Sequence, residues 1–311
     1  MRHIISCALI LGSTMLSVLP ANAQATRTWV SQATGDDLFA CSRFQPCRTF
    51  AGAIAKTAIN GEINCIDAGG YGAVTIAKSV TIDCTGTYGS ILGNGVTAGV
   101  TVNIVPSADD PHRSVRLRGL NINGTGVVGT VGTRTGLDGI RILQASSVFI
   151  EDTVINDFSQ QGVKVAAGAA VNLMLDNVVI RHTNGSGVTL STGAGQVVAS
   201  LNNVRIDGTP VGVSANGLVR ADLRNVTLSH NVTGIKTQNA DNIINVDNMM
   251  VSFSTTGAQS SAGNTIRIGN STITQNATGL FPNGGSIVSM SGNSLTGNTT
   301  DGNFTNTQPK L

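Results

Sequence analysis

The sequence predicts an all-β fold, a right-handed parallel β-helix, from three observations. A glycine recurs at one phase of the chain, an asparagine column recurs at a second, and a short alternating apolar segment follows nearly every repeat of either. The glycine column is Gly139, Gly162, Gly187, Gly212, Gly234, Gly257 and Gly279, at intervals of 22 to 25 residues. A period of this size marks a solenoid in which each repeat buries its apolar face only by stacking on its neighbours. After the glycines come Ile140–Arg141–Ile142, Val163–Lys164–Val165, Val188–Thr189–Leu190, Val213–Ser214–Ala215 and Ile235–Lys236–Thr237. The period of two turns the outer residues of each triplet inward and the middle one to solvent.

The second column is Asp152, Asn177, Asn203, Asn225, Asn248, Asn270 and Asn293, spaced by 22 to 26 residues. In the clearest repeat, Val171–Leu175 forms one strand, Asp176 and Asn177 form a two-residue bend, and Val178–Ile180 forms the next strand. Asparagine tolerates the left-handed conformation such a bend needs, and its side-chain amide can bond to the amide a turn away. A structural ladder of Asn177, Asn203, Asn225, Asn248, Asn270 and Asn293 is therefore expected. Val115–Ile122 fits the template with Gly119 at the bend, Val74–Ile82 fits it loosely, and 124–136 reads as an insertion. About ten turns, at the ~4.8 Å strand spacing, give a rod of roughly 50 Å.

The ends divide the chain further. Arg2 and His3 precede an apolar run from Ile4 to Leu19, and Ala21–Asn22–Ala23 follows Pro20, so residues 1–23 read as a secretory signal peptide and not as a membrane span. A cap is expected over 24–61, with a helix from Pro46 to Ile59 whose stripe is Phe50, Ile54 and Ala58. The β-helix is assigned to 62–304 and a tail to 305–311. The carboxyl end carries no comparable apolar stripe, so a polar tail or a dimer contact is expected there, and the oligomeric state stays open. Export leaves Cys41, Cys47, Cys65 and Cys84, an even number in an oxidising compartment. Cys41–Cys47 and Cys65–Cys84 are the preferred pairs, against reduced thiols or a zinc site, which paired CxxC knuckles would have favoured.

Charged residues make up 12% of the chain and the net charge is +2, so no basic face is available for a nucleic acid. Neither a cofactor nor a metal site is expected, and Asp36–Asp37 reads as a turn.

Turns of this length with an asparagine bend between second and third strands resemble the pectin-lyase-like superfamily. The stretch Gly35, Asp36, Asp37, Cys41, Pro46, Cys47, Thr49, Phe50, Ala53 and Ile54 resembles, more narrowly, uncharacterised secreted bacterial right-handed β-helix repeat proteins. The resemblance implies that any chemistry lies on the outer face of the first-strand sheet and its adjoining loops. That face carries Arg141, Lys164, Thr189, Ser214, Lys236, Gln259 and Phe281. The loops after the third strand add Asp157, Arg181, His182, Asp207 and His230, with Asp138 just before the first strand. The leading reading is a secreted or periplasmic scaffold or interaction protein that contacts an extracellular polysaccharide through Arg141, Lys164 and Lys236. The competing reading is a polysaccharide lyase or glycoside hydrolase with a cleft at Asp157, Lys164, His182 and Asp207. A fold of this kind hosts both, and the outward column is basic and hydroxylic where paired carboxyls would be wanted.

Overall fold

In the computed structural model, the described residues are 24–93, 95, 97–125, 135–239 and 241–308. The expected signal peptide and most of the insertion lie outside them. The chain winds as a right-handed parallel β-helix. A nine-stranded parallel sheet forms one face, in the order in which its strands follow one another along the chain, from Val74–Ile76 to Thr278–Phe281. The other two faces are made largely by long strands that turn a corner part-way, such as Val171–Arg181, Val197–Asp207 and Val219–Ser229. Their register places like on like: Leu173 pairs with Ala199, Leu175 with Leu201, Val178 with Val204 and Ile180 with Ile206. All eight side chains are buried, so the interior is a set of aliphatic columns running along the axis.

Two sets of left-handed residues mark the corners after the second and third strands. The first set is Gly119, Asp152, Asn177, Asn203, Asn225, Asn248, Asn270 and Gly292, with φ between 49° and 70°. Its side chains are bonded from turn to turn. Asn177 donates to Asp152 (2.7 Å), Asn203 to Asn177 (3.1 Å) and Asn248 to Asn225 (2.7 Å). Asn225 reaches instead to Asn202 and Asn270 to Asp247, so the line of bonds steps sideways by one residue twice.

Asn293 departs from the expected ladder. The bend residue of its turn is Gly292, because the Asn270 amide donates to the Ser291 carbonyl just as the Gly119 amide donates to the residue before Asp152. Asn293 is one position further on and turns inward, where its oxygen accepts from the Ser271 amide and its nitrogen donates to the Ile268 carbonyl. With Gly292 already supplying the left-handed conformation, the asparagine serves the interior.

The second corner, after the third strand, is formed by Asp157, His182, Gly208, His230, Phe253, Gln275 and Gly297, again at positive φ. The residues that follow it, from Thr209 on, build an interior polar ladder. Asn231 accepts from the Thr209 amide, Ser254 from the Asn231 amide, Asn276 from the Ser254 amide and Asn298 from the Asn276 amide. The buried main chain of these turns is thereby paired where no strand neighbour reaches it.

The glycine column opening the first strands answers a steric demand. A Cβ on Gly162 would lie 2.4 Å from an Ile180 methyl and 2.7 Å from the Gly187 carbonyl oxygen, and Gly187 is crowded in the same way by Ile206 and Gly212. No larger residue fits without moving backbone.

At the amino end, Ala25–Val30 pairs in parallel with Thr57–Cys65. The capping helix is shorter than expected, Phe50–Lys56, with Thr49 as N-cap and Thr57 already extended. Ala58 and Ile59 belong to the following strand, whose pairing with the amino-terminal strand outweighs the helical stripe. Phe50 and Ala53 are buried, and the Phe50 ring lies 5.1 Å from that of Tyr71. The Asp37 carboxylate accepts from the Arg48 and Thr49 amides and the Thr49 hydroxyl, and Asp36 accepts from the Leu38 amide, so both aspartates serve the turn. The disulfides are Cys41–Cys47 and Cys65–Cys84. The carboxyl end is covered by its own chain. Phe304 packs against the core, the Thr305 hydroxyl accepts from the Ile287 amide, and Asn306–Thr307 pairs with Val288–Ser289.

Candidate functional site

The nine-stranded sheet aligns its outward residues without a slip. Arg141 pairs with Lys164, Lys164 with Thr189, Thr189 with Ser214, Ser214 with Lys236, Lys236 with Gln259 and Gln259 with Phe281. Phe281 is exposed and the others are mostly half-buried beside one another. The three basic residues of this line are not equivalent. The Arg141 guanidinium is bound to Asp138, with Nε at 2.6 Å and a terminal nitrogen at 2.5 Å from Oδ2, and Asp138 is wholly buried. The other Asp138 oxygen accepts from the Gln161 amide at 3.0 Å. Arg141 is thus the counter-ion of an interior carboxylate. Lys164 and Lys236 make no ion pair among the described residues, and three strand steps, ~14 Å, separate them.

The corner after the third strand holds the second group. Asp157 and His182 occupy consecutive bends, and Asp207 comes immediately before the next bend, Gly208. His182 Nδ1 lies 3.8 Å from Asp157 Oδ1, and the His182 amide donates to the Asp207 carbonyl at 3.0 Å. Asp207 Oδ1 accepts from the Ser229 hydroxyl at 2.7 Å and lies 2.9 Å from His230 Nδ1. The His230 ring stacks on Phe253, with centroids 5.2 Å apart and planes inclined by 14°. The arrangement brings Asp157, His182 and Asp207 into one stripe along the axis and adds His230 to it. Among the described residues, no hydrogen bond or ion pair links Lys164, on the outward line of the nine-stranded sheet, to any of them. Desolvation pushes the Asp207 carboxyl upward, but the Ser229 hydrogen bond and the two imidazoles, His230 foremost, outweigh it and hold the carboxyl below its ordinary range. Such a group remains an ionised acceptor and does not serve as a proton donor at neutral pH. Among the described residues, no three His, Cys, Asp or Glu side chains are gathered to hold a metal ion.

Sequence reasoning missed three features. Phe253 is a bulky residue at φ 54°, exposed, and at a bend where the neighbouring turns carry His230 and Gln275. Its position 23 residues after His230 was the available signal. The burial of Asp138 beneath Arg141 was hidden because an Asp three residues before an Arg reads equally as a surface pair. The third feature is the polar trough on the second face, described below.

No protein-family model matches the sequence, and no curated protein matches it. Solved structures match the fold. The complex of XylC with xylose superposes with a TM-score of 0.56 at 8% identity, over 86% of this chain and 67% of that one. The enzymatically active domain of tailspike protein 2 from bacteriophage CBA120 gives 0.52 at 13% identity, over 83% of this chain and 43% of that one. Pectate lyase Pel9A gives 0.51 at 12% identity, over 86% and 69%. This chain therefore spans less than half the length of the tailspike domain and about two thirds of the other two. With its parallel sheets, asparagine corner and these neighbours, the chain has the pectin-lyase-like β-helix fold.

Proposed function

We propose that this is a secreted β-helix scaffold whose nine-stranded face contacts an extracellular acidic polysaccharide. The observation that carries the reading is the in-register outward line in which Lys164 and Lys236 stand without acidic partners among the described residues and Thr189 and Ser214 lie between them. Two ammonium groups and two hydroxyls spaced by the strand repeat suit an extended chain bearing carboxylates. Two disulfides support an oxidising compartment, and the pectate lyase neighbour supports a polysaccharide as the partner class. Nucleic acid and membrane insertion have no place in the proposal.

The structure changes how the face is tested. Arg141 is left in place, because its removal strands the buried Asp138 at a cost on the order of 3 kcal/mol. The informative variant is Lys164→Ala with Lys236→Ala. Retention on immobilised polygalacturonate at low salt is expected to be lost with the melting temperature unchanged. Retention equal to that of the parent protein refutes this face.

A second reading, a polysaccharide-active enzyme, is favoured by one observation, the convergence of Asp157, His182 and Asp207. In it Asp207 acts as a base or an orienting group. New unsaturated or new reducing ends on polygalacturonate, abolished by His182→Ala and Asp207→Asn, would establish it, and a scaffold yields neither kind of end.

A further inference from the structure

The face built by the first halves of the long strands carries two parallel rows of outward side chains. One row runs Arg116, Phe149, Met174, Ser200, Asp222, Asn245 and Arg267. The other lies two residues further along each strand and runs Arg118, Glu151, Asp176, Asn202, Arg224, Asp247 and Gly269. Two residues of strand set the rows ~7 Å apart, with the backbone over Leu223 and Val246 as the floor between them.

The two ends of this trough differ. At the amino end, Arg116 crosses it to Glu151 (3.4 Å) while packing over the Phe149 ring at 5.3 Å, so the space is spanned. From Ser200 onward the side-chain bonds run lengthwise instead. Asn245 donates to Asp222 at 2.8 Å and Arg267 to Asn245 at 3.3 Å within the first row, and Asn202 donates to Asp176 at 2.8 Å within the second. The trough there stays open and encloses about 540 Å3, within the ~300–1,000 Å3 of ligand clefts. A second hollow continues it past Arg267 and Gly269 to Met290. Arg224 stands on the second row, exposed and engaged in no ion pair or hydrogen bond among the described residues.

We propose that this trough is a binding site for a neutral oligosaccharide lying along the helix axis. Across the trough and the hollow that continues it, Arg224 and Arg267 balance Asp222 and Asp247, so an acidic chain gains nothing there. Carboxylates and side-chain amides accept from sugar hydroxyls, and the guanidinium of Arg224 donates to them. Held in lines by their lengthwise bonds, Asp222, Asn245 and Asn202 keep their geometry when the ligand arrives, which lowers the ordering cost of binding. The site is separate from the basic line on the nine-stranded sheet.

The test uses xylohexaose, cellohexaose and maltohexaose as probes with the full mature chain, by titration calorimetry at low and high salt. At least one is expected to bind, with affinity little changed by salt. Binding should fall at least tenfold in Arg224→Ala with Asp222→Ala, and equally in Ser200→Trp, which plugs the trough. Lys164→Ala with Lys236→Ala should leave this binding intact while abolishing retention on polygalacturonate, so the two sites fail independently. Failure of all three probes to bind, or binding unaffected by both trough variants, overturns the proposal.

Discussion

The interior polar ladder makes a sharp demand on Asn276, which is 3% exposed. Its oxygen accepts from the Ser254 amide at 3.0 Å, and its nitrogen donates to the Val251 carbonyl at 3.2 Å, the Thr274 carbonyl at 3.0 Å and Asn298 Oδ1 at 2.9 Å. Asn276→Ala leaves the Ser254 N–H buried without an acceptor, a cost of ~1–3 kcal/mol. The two carbonyls each lose a bond worth ~0.5–1.5 kcal/mol, since a carbonyl oxygen keeps a second lone pair. The loss summed over these groups is ~2–6 kcal/mol. Asn245→Ala is the control: its amide is exposed, water replaces its partners, and the cost should stay within ~1 kcal/mol. Urea unfolding followed by circular dichroism reads the difference as a lower midpoint at unchanged slope. A loss for Asn276→Ala no larger than that for Asn245→Ala would refute the claim that the ladder satisfies buried backbone.

Two further outcomes follow from the corners and the cap. At Asn248, φ is 55° and the amide donates to Asn225, so Asn248→Gly sacrifices only an exposed hydrogen bond, whereas Asn248→Ala adds ~1–2 kcal/mol for the left-handed backbone. Denaturant midpoints should rank parent, then glycine, then alanine, and an alanine variant as stable as the glycine one would contradict the conformational account. At the cap, desolvation pushes the Asp67 carboxyl upward, but hydrogen bonds from the Ser31 and Tyr71 hydroxyls and the Gln32 and Ala33 amides outweigh it and bring it from 3.8 to about 2. A depressed folded-state value stabilises the fold above the unfolded value and ceases to do so as pH falls from about 4 to about 2. The shift corresponds to ~2 kcal/mol before solvent screening of a partly exposed group and ~1 kcal/mol after it. Asp67→Asn should lower the melting temperature at pH 7 and flatten its fall between pH 4 and 2, and an unchanged slope over that range would remove Asp67 from the acid sensitivity.

How much of this was legible in the sequence depends on whether a physical requirement leaves a residue type behind. The glycine column was legible because only glycine fits against Ile180 and Gly187, and the asparagine column because few other residues accept a positive φ cheaply. The second corner escaped notice because Asp157, His182, Gly208, His230, Phe253 and Gln275 meet the same backbone demand with unlike side chains, each held there by the turns above and below. Asn293 was misplaced for the converse reason: Gly292 already satisfies the bend, and the asparagine beside it answers a buried amide. The trough was invisible for a third reason. Alternation identifies outward residues, but whether two outward rows are bridged, as by Arg116 and Glu151, or left open, as around Arg224, depends on which partners the winding brings across from neighbouring turns. In a solenoid, local chemistry therefore announces the coil, whereas the surface a ligand meets is composed one residue per turn, at separations of about two dozen residues. Substitutions at Ser200, Asp222, Asn245 and Arg267 that preserve the inward aliphatic columns should change what the face binds without changing how the chain folds, because the outward and inward residues of each strand answer to different solvents.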